Sequence, residues 1–381
     1  MNIERMQHAA ITDWYSLGAA IGVKANLLSW VLHERSNMQK RIRLGKRTVY
    51  RSDTYLRHIQ RRLLTLLEPM FDALPDTKAV LAYRKGITAT DVVRKVPHAK
   101  VLISFDIRHY YDSVTLQCLE NCLVKMGFPR LGARLIGRYC VVQQQGRHTL
   151  QQGSPASPVL SNIVGHYVFD RVIENWLRSA YPDVQVTYLR YCDNIALFVH
   201  SEMPHDFSEK LKAFVKSSLA KQGFKTHKWA TVADNHPVMH QKFLGMVINA
   251  EARVALDMVD RLRAMLLNWC RHGLEVETNV FLTSNNIRKT RNYVDHGIMQ
   301  EKYKQHLRGN IQYVKRINRK QGLMLEKLYE AAKYLDVQRI MDNLSVVNLP
   351  AAVFAAVKKY RAAESVETYI DRVKNICLEA E

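Results

Sequence analysis

A hairpin with an acidic residue at its turn is the sequence feature that most constrains this chain. Residues 186–191 and 195–199, which read VTYLRY and IALFV, are short runs rich in β-branched and aromatic side chains. They flank Cys192, Asp193 and Asn194. Because Asp and Asn tolerate a positive φ, the pattern predicts two antiparallel strands joined by a turn at Asp193-Asn194. The hairpin alone leaves open whether Asp193 only makes the turn or also binds a metal ion.

A second predicted strand also ends in an acid. Residues 100–114, KVLISFDIRHYYDSV, begin with an apolar run that leads to Asp106 and then to aromatic residues. Carboxylates at the ends of adjacent strands can converge on Mg²⁺, and two such ions ~4 Å apart can clamp the attacking and leaving oxygens of a phosphoryl transfer. No lysine or arginine stands at a spacing along the chain that would neutralise Asp106 or Asp193. The two acids are therefore candidate metal ligands.

A loop rich in glycine, serine and proline lies between the two acids, where residues 148–162 read HTLQQGSPASPVLSN. Gly153 allows the backbone to approach a ligand closely. The alternative interpretation is a loop that only caps the helix that follows. Ser157 is expected to be the N-cap of that helix, and Pro158 its first helical residue.

The remaining segments predict an α+β core followed by a basic, mostly helical region. Gly22 divides residues 12–34 into two short helices, and the basic residues 39–51 predict a hairpin around Gly45. Periodicity predicts further helices and strands along the rest of the chain. The helices are expected at residues 55–74, 115–127, 158–180, 206–222 and after 255, and the strands at residues 224–232 and 241–249.

Positive charge is the main compositional feature. The net charge is +21, which predicts a polyanionic partner such as nucleic acid. The six cysteines form no CxxC pair, which argues against structural zinc or a disulfide framework and favours a reducing compartment. No apolar run approaches the ~20 residues of a membrane span. The sequence therefore predicts a cytoplasmic protein with no membrane partner.

Taken in order, these segments resemble the palm motifs of a reverse transcriptase. The motifs are FDIRHYYDS around Asp106, LQQGSPASPVLSN, YCDN around Asp193, and KFLG. GKRTVYRSDTYLRHIQRRLL resembles the fingers segment, AYRKGITATDVVRKV the segment before the palm, and LRGNIQYVKRIN the thumb of retron-type enzymes. The resemblance implies an α+β right-hand polymerase. Its expected parts are N-terminal helices and fingers at residues 1–100, a palm with fingers elements at 101–250 and an α-helical basic thumb or C-terminal region at 251–381.

The resemblance implies a catalytic metal site. Asp106 and Asp193 match the catalytic aspartates that bind metal, and Ile107 matches the residue whose backbone carbonyl also meets a metal. Asn194 replaces the second Asp of the usual Tyr-x-Asp-Asp, and it keeps one acceptor oxygen without the negative charge. The implied cofactors are two Mg²⁺ ions, with Mn²⁺ as a substitute. The implied reaction is DNA synthesis from dNTPs on an RNA template.

The resemblance also implies a nucleotide pocket. Tyr111 matches the aromatic gate beneath the sugar, whose ring would occupy the space of a 2′-hydroxyl, and Gln152 and Gly153 match residues that border the incoming nucleotide. Arg47 and Arg41 match the cations that hold the triphosphate, since a guanidinium pairs bidentately with phosphate oxygens. The simpler alternatives are that Tyr111 is a core aromatic and that Arg41 lies on a solvated strand face.

Primer and template contacts are implied near the end of the palm and in the basic helical region. Phe243, Leu244 and Gly245 match the turn that grips the primer strand. The candidates in the basic region are Arg288, Lys289, Arg308, Lys315 and Arg316. Because phosphate contacts are electrostatic, binding is expected to weaken steeply with salt.

Two further positions depart from the family pattern. Gln151 stands where the family usually has proline. The lysine that often follows the hairpin, a candidate proton donor to pyrophosphate, has no clear match among Lys225, Lys228 and the nearby His227.

Within the family, the chain resembles the retron-like, defence-associated (Abi and unknown-group type) bacterial enzymes, although it lacks the Val-Thr-Gly that retron enzymes usually carry. This resemblance implies a structured non-coding RNA as template, a DNA product or primer, and an antiphage role. The sequence leaves open a partner protein or a homo-oligomer. The alternatives are a catalytically weak or inactive RNA-binding pseudo-polymerase, a retron enzyme that makes RNA-linked DNA, and a DNA-binding regulator that uses residues 12–34.

Overall fold

The chain divides into two compact units, one formed by residues 1–244 and 248–250 and the other by residues 245–247 and 251–381. The computed structural model describes residues 11–44, 47–95, 98–144, 146–236, 238–248, 253–284 and 296–344. For residues 94, 95, 253, 296 and 338–344 it describes only the backbone. Within the described residues, no helix is both long and apolar enough to cross a membrane.

The first unit mixes helices with short antiparallel strands. Its first half contains α1 (Trp14–Ile21), α2 (Ala25–Glu34), β1 (Gln39–Leu44), β2 (Arg47–Ser52), α3 (Thr54–Asp72), α4 (Ala89–Lys95), β3 (Val101–Ile107), α5 (Tyr110–Ser113), α6 (Leu116–Met126), α7 (Arg130–Cys140), β4 (Val141–Gln144) and β5 (Arg147–Leu150). Its second half contains α8 (Ser157–Gly165), a π-helical turn at His166–Asp170, α9 (Arg171–Ala180), β6 (Val186–Tyr191), β7 (Asn194–Val199), α10 (Phe207–Ala220), β8 (Thr226–Ala233) and β9 (Lys242–Phe243). The predicted hairpin at 39–51 and the helix at 55–74 are confirmed.

A four-stranded antiparallel sheet with the order β6-β7-β3-β8 forms the centre of this unit. The internal strand β7 is buried along Ile195–Val199, on both faces of the sheet. A continuous apolar run of this kind is typical of a strand that is covered on both sides. Strand β3 pairs with β7 so that Asp106 lies opposite Asn194.

One face of helix α3 is buried in the hydrophobic core of the unit. Asp53 caps it by accepting a hydrogen bond from the amide of Leu56 (2.8 Å), as is typical of an N-cap. Leu56, Ile59, Leu63 and Leu67 are spaced three or four residues apart and are fully buried, which is the pattern expected for one apolar helix face.

The loop before α8 differs from its prediction. Ala156 is the N-cap, so Ser157 is the first helical residue and Pro158 the second. The hydroxyl of Ser157 donates to the backbone carbonyl of Gln151 (2.6 Å) instead of capping the helix. The predicted N-cap role of Ser157 is therefore wrong, because its hydroxyl ties the helix start back to the preceding loop.

The second unit is mainly helical, as predicted for the residues after 255. Strands Met246–Val247 (β10) and Arg253–Val254 (β11) pair antiparallel. The helices are α11 (Leu256–His272), α12 (Leu274–Ser284), α13 (His296–Ile317) and α14 (Arg319–Leu344). The buried aromatic rings of Trp269, Tyr303 and Tyr329 pack edge to face in its core.

Candidate active site

The sheet brings the two predicted catalytic acids to the same edge. Asp106 lies at the end of β3 opposite Asn194 of β7, and Asp193 directly precedes Asn194. The amide of Ile107 donates to the backbone carbonyl of Asp193 (3.0 Å). Directly opposed residues in an antiparallel pair hold their Cβ atoms roughly 4.5–5.5 Å apart. Residues that are 87 positions apart in sequence therefore form one polar patch.

The turn that carries Asp193 lies one residue earlier than predicted. Tyr191 pairs with Asn194 across the hairpin, so the two turn residues are Cys192 and Asp193. Cys192 takes the left-handed φ of 59°. Asn194 begins β7, and its side-chain amide donates to the Asp193 carboxylate (3.1 Å). Asn194 thus supports Asp193 directly.

Asp193 is half-buried, and its environment disfavours the charged form. Burial, followed by the negative charge of Asp106, raises the pKa of the Asp193 carboxyl above its ordinary value, although hydrogen bonds and Arg47 oppose this shift. A carboxylate that is destabilised by burial and by a neighbouring carboxylate gains from a bound cation. The electrostatics therefore suit a cation beside Asp193.

The donor set fits a hard divalent cation. Two carboxylates, the amide oxygen of Asn194 and the backbone carbonyl of Ile107 are all oxygen donors, which Mg²⁺ prefers. Within the part of the chain that the structure describes, no group of three or more His, Cys, Asp or Glu side chains forms a metal site. The protein thus supplies few ligands, which is usual where Mg²⁺ keeps water and substrate phosphates as further ligands.

Spacing along the chain offers no lysine or arginine to Asp106, but the fold brings partners to it from another strand. The Asp106 carboxylate accepts a hydrogen bond from Nδ1 of His227 (3.1 Å) and forms an ion pair with Nζ of Lys228 (3.3 Å). These partners lie on β8, more than 120 positions away, so spacing along the chain could not reveal them. Of the three candidates Lys225, His227 and Lys228, the side chains of His227 and Lys228 thus lie at Asp106. A role as proton donor stays a prediction.

A β-bulge brings both partners to the same carboxylate. Strand β8 has one residue more than β3 between the pairs Ser104–Ala230 and Asp106–His227. Lys228 takes a left-handed φ of 50° at this place. Neighbouring residues of a regular strand point to opposite faces, whereas a bulge redirects a side chain. The side chains of both His227 and Lys228 can therefore reach Asp106.

A cleft of about 950 Å³ opens in front of Asp193 and Asn194. The predicted nucleotide-binding residues Arg47, Tyr111, Gln152 and Gly153 all line it. Arg41 does not, since it lies on β1 opposite Tyr50 with an exposed side chain. The structure thus gathers four of the five residues in one place and leaves Arg41 on the solvated strand face that was the alternative.

Tyr83 was missed by sequence reasoning. Its hydroxyl donates to Sγ of Cys192 (3.3 Å) and accepts from the hydroxyl of Tyr111 (3.3 Å) at the wall of the cleft. Burial raises the pKa of Tyr111 to about 12, so this hydroxyl stays protonated as a donor at neutral pH. Tyr83 has a φ of 63°, and no local sequence signal predicts a tyrosine in that conformation.

Two more arginines of the cleft, Arg57 and Arg61, come from α3. The sequence predicts a helix at residues 55–74, which contains both arginines. Together with Arg47 they give the cleft three guanidinium groups, which suits a polyphosphate.

Gln151 holds the β1–β2 hairpin against the loop of the cleft. Its side chain is fully buried. The amide oxygen accepts from the side chains of Gln39 (2.8 Å) and Gln60 (3.1 Å), and the amide nitrogen donates to the carbonyl of Tyr50 (3.0 Å) and to the hydroxyl of Ser52 (2.8 Å). Both donors and both acceptor positions of the amide are therefore used. This residue positions β2, which carries Arg47.

We expect Gln151→Leu to lower the free energy of unfolding by about 1–3 kcal/mol, because leucine fills the space but leaves buried polar partners without a hydrogen bond. Urea unfolding followed by circular dichroism measures the change. Gln152→Leu is the matched control, since the Gln152 side chain is only half-buried at the cleft wall. Equal stability losses from the two variants would contradict the role of the Gln151 network.

Gly153 allows the loop to approach the hairpin. It has a φ of 106°, and a Cβ atom there would lie 2.7 Å from the backbone carbonyl oxygen of Tyr50. The amide of Tyr50 in turn donates to the carbonyl of Gln152 (2.8 Å). The predicted close approach at Gly153 is therefore an approach to the chain's own backbone at the cleft wall.

The predicted primer-binding turn is partly a core element. The ring of Phe243 is buried and packs edge to face on Phe198 (5.8 Å between ring centres). Leu244 and Gly245 both have left-handed φ angles, 51° and 80°.

The predicted basic contacts of the second unit have different surroundings. Arg308 contacts Glu301 (3.4 Å) and lies over the ring of Tyr329, and Lys315 pairs with Glu326 (2.6 Å). Arg316 is exposed. Arg288 and Lys289 lie outside the described residues. The surface charge of Arg308 and Lys315 is thus partly compensated within the unit.

Residues 41–248, more than half of the chain, match the family model of reverse transcriptase (RNA-dependent DNA polymerase). The match covers both acids, the loop at Gly153 and most of the β1–β2 hairpin. The chain belongs to the reverse transcriptase family. Members of this family are RNA-directed DNA polymerases of the right-hand fold and generally use divalent metal ions. The expected fold class and enzyme class are thereby confirmed.

Solved structures similar to this reverse transcriptase include three telomerases. The apo telomerase of Candida tropicalis, truncated from its C-terminal domain, is 10% identical, with a TM-score of 0.39 over 60% of this chain and 59% of that chain. Telomerase of Candida albicans with a fragment of telomeric RNA is 11% identical (TM-score 0.39, 84% of this chain and 70% of that chain). The corresponding Candida tropicalis complex is 12% identical (TM-score 0.38, 76% and 56%). A search of curated proteins found no match.

Proposed function

We propose that this chain is an active RNA-directed DNA polymerase that extends a primer with dNTPs, using Asp106 and Asp193 as ligands for two Mg²⁺ ions. The observation that carries the proposal is the register of β3 against β7, which sets Asp106 beside Asp193 and Asn194. Asp193 and Asn194 line a cleft that also contains three arginines. Mn²⁺ is expected to substitute for Mg²⁺, since both accept oxygen ligands.

The protein's own groups have distinct parts in this reaction. The carboxylates of Asp106 and Asp193, with the carbonyl of Ile107 and the amide oxygen of Asn194, would hold the ions. When bound, the ions supply Lewis-acid stabilisation of the attacking and leaving oxygens. His227 and Lys228 hold the Asp106 carboxylate in place from the opposite side. Nucleotidyl transfer depends mainly on such positioning and charge.

The cleft residues would bind the incoming nucleotide. Arg47, joined by Arg57 and Arg61, faces the triphosphate, where a guanidinium fork matches phosphate oxygens. Tyr111 lies beneath the sugar, and its ring excludes a 2′-hydroxyl. Gln152 and Gly153 border the nucleotide on the loop side. The arrangement favours deoxynucleotides over ribonucleotides.

A catalytically weak RNA-binding pseudo-polymerase is the second candidate function. The observation in its favour is that Asn194 removes one negative charge while Lys228 and His227 already pair with Asp106. Both features reduce the attraction for a divalent ion. The first candidate is preferred because Asp193 keeps the position of the first aspartate of the motif. Among the described residues, no lysine or arginine lies within ion-pair distance of it, and burial raises the pKa of its carboxyl, so a bound cation would stabilise the carboxylate.

The further expectations on biology rest on the sequence resemblance. We propose a structured non-coding RNA as template, a DNA primer or product, and an antiphage role in the cytoplasm, as in retron-like bacterial enzymes. The second unit would follow the nucleic-acid backbone through Arg308, Lys315 and Arg316, together with Arg288 and Lys289. The primer would meet Phe243, Leu244 and Gly245. Sequencing the nucleic acid that co-purifies with the protein from its host tests the template proposal.

Primer extension on a defined RNA template tests the polymerase activity. The reaction contains dNTPs with either Mg²⁺ or Mn²⁺, and it compares the wild type with Asp193→Ala. We expect template-dependent DNA products only from the wild type. Equal signal from both proteins would reject catalysis at this site. Absent extension by the wild type with retained RNA binding would favour the pseudo-polymerase.

A further inference from the structure

A buried ion pair lies directly behind the candidate active site. The side chains of Arg190, on β6, and Asp170, at the end of the π-helical turn, are both completely buried. Nε and one terminal nitrogen of Arg190 donate to the two carboxylate oxygens of Asp170 (2.7 and 2.9 Å). Such a bidentate pair is geometrically specific. Burial of two charges is costly without complete hydrogen bonding, so the remaining contacts decide what the pair does.

Every donor of the Arg190 guanidinium has an acceptor. Beyond Asp170, the guanidinium donates to the backbone carbonyl of Asn162 (3.2 Å), to its side-chain oxygen (3.3 Å) and to the backbone carbonyl of Cys192 (3.1 Å). These five bonds equal the five N–H groups of an arginine. The last of them reaches the turn itself, since the Cys192 carbonyl belongs to the peptide that enters Asp193.

The surroundings of Arg190 are shaped to hold the guanidinium in one place. A Cβ atom at Gly165 would lie 2.3–2.6 Å from three guanidinium atoms, so α8 leaves room only because this residue is glycine. The hydroxyl of Tyr188 donates to Asp170 (2.7 Å) and fixes the carboxylate from the other side. The side-chain amide of Asn162 is fixed in turn by the carbonyl of Ala82 (2.9 Å).

We propose that Arg190 and Asp170 are positioning residues for catalysis. This proposal rests on the proposed polymerase function. The pair, here named the turn clamp, fixes the Cys192–Asp193 peptide and thereby the Asp193 carboxylate relative to Asp106. Cys192 has a left-handed φ, a conformation that is costly for a residue other than glycine. The hydrogen bond from Arg190 holds that peptide in place. A core-only role would stabilise the fold without affecting the turn.

Two variants test the turn clamp. Arg190→Lys removes the guanidinium fork but keeps the charge. Asp170→Leu combined with Arg190→Met removes both charges, so no unpaired charge is left in the core. Both are measured per folded molecule, as judged by circular dichroism. We expect kcat for primer extension to fall on the order of 10²-fold, because small misplacements of reacting groups have effects of that size. The affinity for primer and template should stay within about threefold.

Hydrogen exchange gives a readout that is independent of activity. The Ile107 amide donates to the Asp193 carbonyl, so loosening of the turn should raise its exchange rate at least ~10-fold in both variants. The Gln151 amide, which donates to Cys140 (2.9 Å), serves as an internal reference and should not change. Tyr139→Phe, which removes a buried hydrogen bond to Leu28 in the same unit, controls for general destabilisation.

The outcomes separate the two proposals. Unchanged kcat and unchanged Ile107 exchange in a folded variant would overturn the turn clamp, and so would failure of both variants to fold while Tyr139→Phe folds. Faster exchange at Ile107 combined with no extension by the wild type would support the clamp as a structural device but reject the polymerase function.

Discussion

Asp106→Asn should lower kcat for RNA-templated primer extension by on the order of 10³-fold while leaving the affinity for primer and template within about threefold. The substitution keeps the shape of the side chain and one acceptor oxygen, so one of the contacts with His227 and Lys228 is lost, whereas the strand pairing with Asn194 remains. It removes one of two carboxylates that would hold the metal ions. Because the metal ions act on the attacking and leaving oxygens, their loss lowers kcat more than the affinity for primer and template.

Single-turnover extension at saturating dNTP measures this effect. Asp206→Asn is the matched control, because Asp206 is an exposed carboxylate of the same unit whose ion-pair partner is Lys210 (2.7 Å). It should retain wild-type activity. A tenfold or smaller loss for Asp106→Asn would show that the carboxylate at the end of β3 is not essential to the reaction.

Tyr111→Ala should reduce the preference for dNTPs over rNTPs by about 10–200-fold, the range over which a pocket discriminates substrates that differ by one small group. The Tyr111 ring lies at the cleft wall, edge to face on buried Tyr110 (5.9 Å between centres). Its position is fixed from the other side by the hydroxyl of Tyr83. A fixed ring of this kind excludes a 2′-hydroxyl, whereas alanine opens the space.

The ratio of kcat/KM values for dCTP and CTP on the same template measures the preference. Tyr111→Phe is the control that keeps the ring and loses only the hydroxyl, with its hydrogen bond to Tyr83, so its preference should stay within about threefold of the wild type. If Tyr111→Ala kept the wild-type preference, the ring would be a core residue without a role in sugar selection, which is the simpler interpretation of the sequence.

The elements around the site could largely be predicted from the sequence because their signals are local. The apolar runs on either side of Asp193 predict the hairpin, and Gly22 marks the break between two short helices. The position of the turn was predicted one residue too late. The left-handed conformation at Cys192 accompanies a hydrogen bond from Arg190, a contact that turn propensities cannot anticipate.

The contacts that define the site could not be predicted because they join distant segments. Lys228 and His227 reach Asp106 through a bulge in another strand. The side chain of Gln151 has its four hydrogen-bond partners only because the β1–β2 hairpin, α3 and the loop come together in the fold. From the sequence, Gln151 is only a residue that differs from the family's usual proline. Tyr83 lines the cleft and has a left-handed φ of 63°, which is unusual for tyrosine.

The central claim is that Asp106 and Asp193 bind the metal ions, and a Mn²⁺ titration tests it most directly. The protein is mixed with a primer–template and a non-hydrolysable dNTP, and electron paramagnetic resonance measures the free Mn²⁺. We expect the wild type to bind two ions, and Asp106→Asn and Asp193→Asn each to lose at least one at the same free concentration, while Asp206→Asn binds as the wild type does. Identical Mn²⁺ binding by all four proteins would contradict the assignment of Asp106 and Asp193 as the metal ligands.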